Sequence, residues 1–190
     1  MKRYASLALL ALLSASGSAY AHPGHDGGLL AGLGHPYSGL DHLLAMLAVG
    51  LWAAQQKGDG ALWKIPLAFV ASMVAGGLLG YAGLPLPHVE AGIAASVLLL
   101  GLLIAFALRL PNAAAMALVG VFALCHGHAH GAEAPLAGSL ASFVLGFSLA
   151  TASLHGAGLV AGGLLRRLSA RLLRVGGVGV ALAGAWLSLG

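Results

Sequence analysis

The sequence predicts an all-α integral membrane protein, with about six transmembrane helices following a cleavable signal peptide. Three observations carry that expectation. Of the 190 residues 59% are hydrophobic and only 7% are charged, whereas a soluble domain carries roughly a quarter charged residues. So few charges cannot cover a water-facing surface. Thirty glycines accompany them, and small residues let membrane helices approach closely. Finally, the apolar residues fall into long runs separated by Pro, Gly and charge.

The elements follow in chain order. Lys2 and Arg3 precede a short apolar stretch, Tyr4 to Leu13, and small residues lead to Ala19-Tyr20-Ala21, an A-x-A cleavage site. That stretch is shorter than the roughly 20 residues a spanning helix needs. Residues 1–21 therefore read as a signal peptide, and 22–190 as a single six-helix domain whose mature N-terminus is outside the cytoplasm. The expected spans are Gly39–Gln55, Leu62–Tyr81, Val89–Leu108, Asn112–His126, Leu136–Leu165 and Leu172–Leu189. The fourth is short and the fifth long, and irregular hydrophobic segments in transporters often mark a site. Small-xxx-small pairs such as Gly76/Gly80 and Gly158/Gly162 suggest close helix packing.

An external N-terminus puts three connections in the cytoplasm, Gln56–Ala61, Arg109–Pro111 and Arg166–Arg171. Beyond Arg3, the basic residues are Lys57, Lys64, Arg109, Arg166, Arg167, Arg171 and Arg174. All fall in or beside those connections, as the positive-inside rule requires. The net charge of +4 is thus a topology signal. No basic patch interleaved with aromatics is present, so a nucleic-acid partner is not indicated. A single cysteine, Cys125, excludes an internal disulfide framework.

The nine histidines sort to the opposite face. His22 and His25 lie on the N-terminal tail with Asp26. His35 and the Asp41-His42 pair open the first span, and His88 with Glu90 opens the third. His126, His128, His130 and Glu133 occupy the outer end of the fourth, and only His155 lies deeper, in the fifth. Imidazole and carboxylate are ligands for divalent Ni, Co, Zn and Cu. The candidate metal residues are therefore His35, Asp41, His42, His88, Glu90, His126, His128, His130, Glu133 and His155. Pro36 suits a first helical position, which places His35 at the cap and His42 two turns in, on nearly the same face. Asp41 can fix an imidazole tautomer or bind metal itself. Met46 could add a soft ligand or simply pack. Ser148, Thr151 and His155 share a helix face and form a polar stripe leading inward, either a permeation path or a hydrogen-bonded seam.

His35-Pro36, followed by Gly39 and Asp41-His42, resembles the signature of the HupE/UreJ family. Two further stretches are similar to that family, His126 to Glu133 and Gly146-Phe147 through Ala150-Thr151 to Leu154-His155. The resemblance implies a small membrane permease for nickel, in some members cobalt, associated with hydrogenase and urease maturation. One departure is His22-Pro23-Gly24-His25, which does not form an amine-plus-third-position-His clamp for Ni(II).

The expected function is uptake of a divalent transition metal, Ni2+ before Co2+, because ligands face outward and the cytoplasmic connections carry almost none. Non-enzymatic action without a tightly bound cofactor is expected, in the bacterial cytoplasmic membrane, with metal ion and lipid as partners and homo-oligomers allowed. No phosphate-binding G-x-x-x-x-G-K-[ST] loop exists. The alternatives are a metal sensor or donor without transport, a bis-His haem protein, or an intramembrane serine protease, for which Gly146-Phe147-Ser148-Leu149 lacks the second glycine.

Overall fold

The computed structural model describes residues 28–134 and 139–189. The signal-peptide expectation and the His22/His25 tail lie outside the described residues. Within them, all regular structure is helical: α1 (Leu29–Gly34), a 3-10 turn η1 (His35–Tyr37), α2 (Leu40–Ala53), α3 (Ala61–Tyr81), α4 (Val89–Ala105), α5 (Asn112–Ala132), α6 (Leu140–Leu168) and α7 (Ala170–Leu187). Helices α3, α5, α6 and α7 are long and apolar enough to cross a membrane, and α2 and α4 are shorter apolar helices. The chain is an all-α, multi-pass membrane protein. Its six apolar helices α2–α7 occupy the six expected spans, and α1 is an addition.

Local chemistry sets the boundaries. Pro111 immediately precedes α5, where its fixed φ and missing N–H cost nothing. Ser169 ends α6 and caps α7, accepting from Arg171 N–H. The α6–α7 connection is therefore one residue, and Arg166, Arg167 and Arg171 are helical rather than in the loop expected over 166–171. Gly83, with φ of 69°, follows α3, with Gly83 N–H bonding Gly80 O and Leu84 N–H bonding Leu79 O, the two bonds of a Schellman stop.

The interior is apolar, with Met46, Trp52, Ile65, Phe69, Met73, Leu100 and Ile104 fully buried. The outside is apolar too: Leu67, Val121, Leu145, Val160 and Leu182 are exposed around the girth. A helix hydrophobic all round belongs in a membrane or a large core. Trp63 and Trp186, both exposed, sit toward opposite ends of the bundle, where aromatic anchors meet the headgroups.

The helices alternate in direction, so the two ends differ chemically. One end gathers the basic residues: Arg166 donates to Ala54 O at the end of α2, Arg174 Nε to Ala105 O at the end of α4 and Arg109 Nε to Gln55 O. Cations on helix C-terminal carbonyls complement the helix dipole. The histidines of α2 and α5, and His88 just before α4, lie toward the other end.

Candidate metal centre

The first span is built in two pieces. At 29 residues, α6 runs about 43 Å at 1.5 Å per residue, longer than a hydrocarbon core of about 30 Å. Neither α1 nor α2 covers it alone, so they lie along it in succession. Gly32 and Gly146 let α1 meet the N-terminal half of α6, where an added Cβ would strike Phe143 O or Leu29 O. Gly50 and Gly158 do the same for α2, and Gly162 faces Ala54, the packing role expected of the Gly158/Gly162 pair. Between the two pieces, residues His35–Tyr37 turn as a 3-10 helix and Gly39 is extended, with φ of −113° and ψ of 128°. His35 is thus not the cap of the helix carrying His42. Pro36 starts the 3-10 turn instead, and the shared face expected from their seven-residue spacing does not exist. A third helix brings them together.

That helix is α5. It runs on to Ala132, six residues past the expected end at His126, so His126 and His130 stand one turn apart on a single face. Glycines press this face inward: a Cβ on Gly127 would collide with Met73 O of α3, and one on Gly131 with Gly77 O. From the α3 side, Gly76 and Gly80 meet Leu124 O and His128 O, as their spacing suggested. His130 then lies against both His35 and His42, with ring centroids 4.5 and 4.1 Å away, and His42 lies 4.6 Å from His126. Four imidazoles from η1, α2 and α5 form one contiguous group. Phe147 closes its side, 4.2 Å from His130.

The carboxylates take different places. Asp41 Oδ1 lies 2.7 Å from both the backbone N and Nδ1 of His42, so it holds that ring with Nδ1 protonated and Nε2 free. Glu133 is exposed at the mouth, its Oε2 3.4 Å from His35 Nε2. One donor atom each from His35, His130 and Glu133 lie within 4.8 Å of one another, close enough to share an ion. His42 Nε2, His126 Nδ1 and both nitrogens of His130 are buried without a hydrogen-bond partner among the described residues. Unpartnered buried polar atoms are costly and rare. Here several sit on imidazole rings in mutual contact, and the donor atoms that converge within 4.8 Å are those of His35, His130 and Glu133.

The remaining sequence candidates lie apart. His128 points away from the group, with Nε2 2.8 Å from Leu84 O. His88, exposed with φ of 58°, precedes α4, and Glu90 is exposed in its first turn. His155 is buried on α6, its nitrogens unpartnered and its ring 5.0 Å from Phe69. Phe69 also lies 5.9 Å from His126, so one phenyl ring separates the outer imidazoles from the inner one. In the stripe, Thr151 is fully buried and its hydroxyl meets Met46 Sδ at 3.4 Å and Met73 Sδ at 3.5 Å. Ser148 is half-buried. Two contributors were missed in the sequence, Phe69 and Ser96. The signal for Ser96 was a single hydroxyl within the apolar run of α4. Its Oγ is 2.8 Å from His126 Nε2.

A multi-pass helical membrane protein with interior imidazoles gathered at one end is the class these observations define. The chain belongs to the HupE/UreJ family, whose profile, described as HupE / UreJ protein, matches residues 10–187. It is 48% identical over 183 residues to Protein HupE of Rhizobium leguminosarum bv. viciae, with 95% of each chain covered. No solved structure matches.

Proposed function

We propose that the protein is a permease that imports a divalent transition metal, Ni2+ first and Co2+ second, across the bacterial cytoplasmic membrane. The observation that carries this reading is the contiguous group His35, His42, His126 and His130, with ring nitrogens buried and unpartnered, at the end of the bundle opposite the arginines. Imidazole and carboxylate donors without thiolate suit Ni2+ and Co2+. Glu133 and His35 receive the hydrated ion at the mouth, and His130 passes it to His42 and His126. Asp41 orients His42 rather than joining the ligands, since its Oδ1 is already engaged. Phe69 closes the way to His155, and the ion passes when that ring moves aside. The mature N-terminus faces the periplasm, residues 22–190 act as one permease domain, and the reaction is transport without covalent chemistry.

The deeper His155 favours transport over a metal donor or sensor, because a surface binder has no use for an imidazole beyond Phe69. Purified protein in liposomes, loaded outside with nickel and challenged with cobalt and zinc, tests the reading. Saturable nickel accumulation inhibited by excess cobalt is expected. Binding without accumulation would turn the assignment to a donor or sensor.

A further inference from the structure

Ser96 sits at the centre of α4, fully buried, and its hydroxyl touches two groups. Its Oγ is 2.7 Å from Ile93 O in its own helix and 2.8 Å from His126 Nε2 on α5. A serine hydroxyl has one proton to donate and two lone pairs to accept with. The carbonyl of Ile93 can only accept, so that contact takes the hydroxyl proton. The contact to His126 then requires the imidazole to donate. We infer that Ser96 is a positioning residue: it holds His126 with Nε2 protonated and turns the lone pair of Nδ1 into the imidazole group.

The geometry on the other side of the group makes this consequential. Asp41 fixes His42 with Nδ1 protonated, leaving Nε2 to donate, while Ser96 fixes His126 with the opposite nitrogen protonated. Both free nitrogens, His42 Nε2 and His126 Nδ1, are buried and unpartnered, and the two rings meet edge to face at 4.6 Å and 87°. Opposite tautomers on these adjoining perpendicular rings leave each with one buried, unprotonated nitrogen, so neither has a proton to displace before it can donate. Partners behind a ligating histidine set its tautomer and orientation, and losing one typically lowers metal affinity roughly 10–100-fold. The same proton inventory separates Ser96 from a nucleophile. A catalytic serine gives its proton to the histidine, whereas this hydroxyl gives it to a helix carbonyl in a site sealed from water.

This role rests on the metal-path reading above, so the test reads it twice. In full-length, metal-free protein in nanodiscs, the ring-nitrogen chemical shifts of isotope-labelled histidine report each tautomer. Wild-type His126 should be protonated at Nε2, and Ser96→Ala should give a mixture of tautomers. Ser96→Ala should also weaken Ni2+ binding by roughly 10–100-fold, and Ser96→Thr, which keeps the hydroxyl, should restore both the tautomer and the affinity. A wild-type His126 protonated at Nδ1 overturns the inference and needs no variant. So does wild-type nickel affinity in Ser96→Ala. Wild-type protein that binds no nickel defeats the metal reading instead, and this role with it.

Discussion

Asp41 and His42 differ in what their loss should do. His42 contacts His130 and His126 and presents an unpartnered Nε2. His42→Ala should therefore all but abolish nickel uptake per folded molecule, while abundance in the membrane persists, because removing a polar group from an apolar segment favours insertion. Asp41→Asn keeps the size but removes the anion that holds Nδ1–H, so a smaller loss, roughly 10–100-fold at scarce metal, is expected. Uptake and abundance measured in the same cells give the ratio, and normal transport by His42→Ala would show the pair to be structural. Protons test the mouth. Metal binds neutral imidazole, and a protonated ring has no lone pair. Burial holds His35 below the ordinary histidine value of about 6.5, so initial uptake at fixed free nickel should hold near neutral pH and fall as external pH drops below about 6. A rate that holds level down to pH of about 4.5 contradicts imidazole ligation at the mouth.

At the scale of helices, the donor group depends on how closely α5 approaches α3. Gly127 lies between His126 and His130 in sequence, and a Cβ there would run into backbone, Met73 O, which cannot turn aside. Gly127→Ala should lower stability by about 1–3 kcal/mol as an overpacked contact, and should depress uptake further by moving both imidazoles. Gly163→Ala on α6, where nothing lies within 4 Å of the added carbon, should leave thermal stability and uptake unchanged. Equal melting temperatures for the two variants would remove α3–α5 contact as the positioning device. The same scale explains what the sequence could and could not reveal. Hydropathy alone locates the six apolar helices, because lipid demands long apolar runs. It ends the fourth too early because His126, His128 and His130 lower local hydropathy without breaking the helix. The break at His35–Tyr37 was hidden because Pro36 starts a 3-10 turn as readily as an α-helix. Tertiary contact splits the three α5 histidines into two facing the interior and one, His128, facing Leu84 O. Ser96 was silent for the same reason, since a serine in an apolar helix usually bonds only its own backbone.

Across the whole molecule, direction of transport depends on which end faces the cytoplasm. Lys57, Lys64, Arg109, Arg166 and Arg174 belong to one end, and Arg109, Arg166 and Arg174 bind helix-terminal carbonyls there. His35, Glu133 and the imidazole group belong to the other. Basic residues are retained on the cytoplasmic side, so on the proposed reading the donor group would open outward and metal would enter from the periplasm. An exporter built on this chain would have to gather its ion from an end where the described residues offer arginine, lysine, glutamine and a single carboxylate, Asp59, but no histidine. Cysteine labelling decides the orientation. Cys125 is the sole native thiol, so Cys125→Ser gives a silent background for single cysteines at Ala132 and Asp59, both exposed and at opposite ends. A membrane-impermeant maleimide added to intact spheroplasts should label Ala132→Cys and leave Asp59→Cys untouched until the membrane is opened. The reverse pattern would invert the bundle, place the histidines at the cytoplasmic face and convert the import argument into one for export.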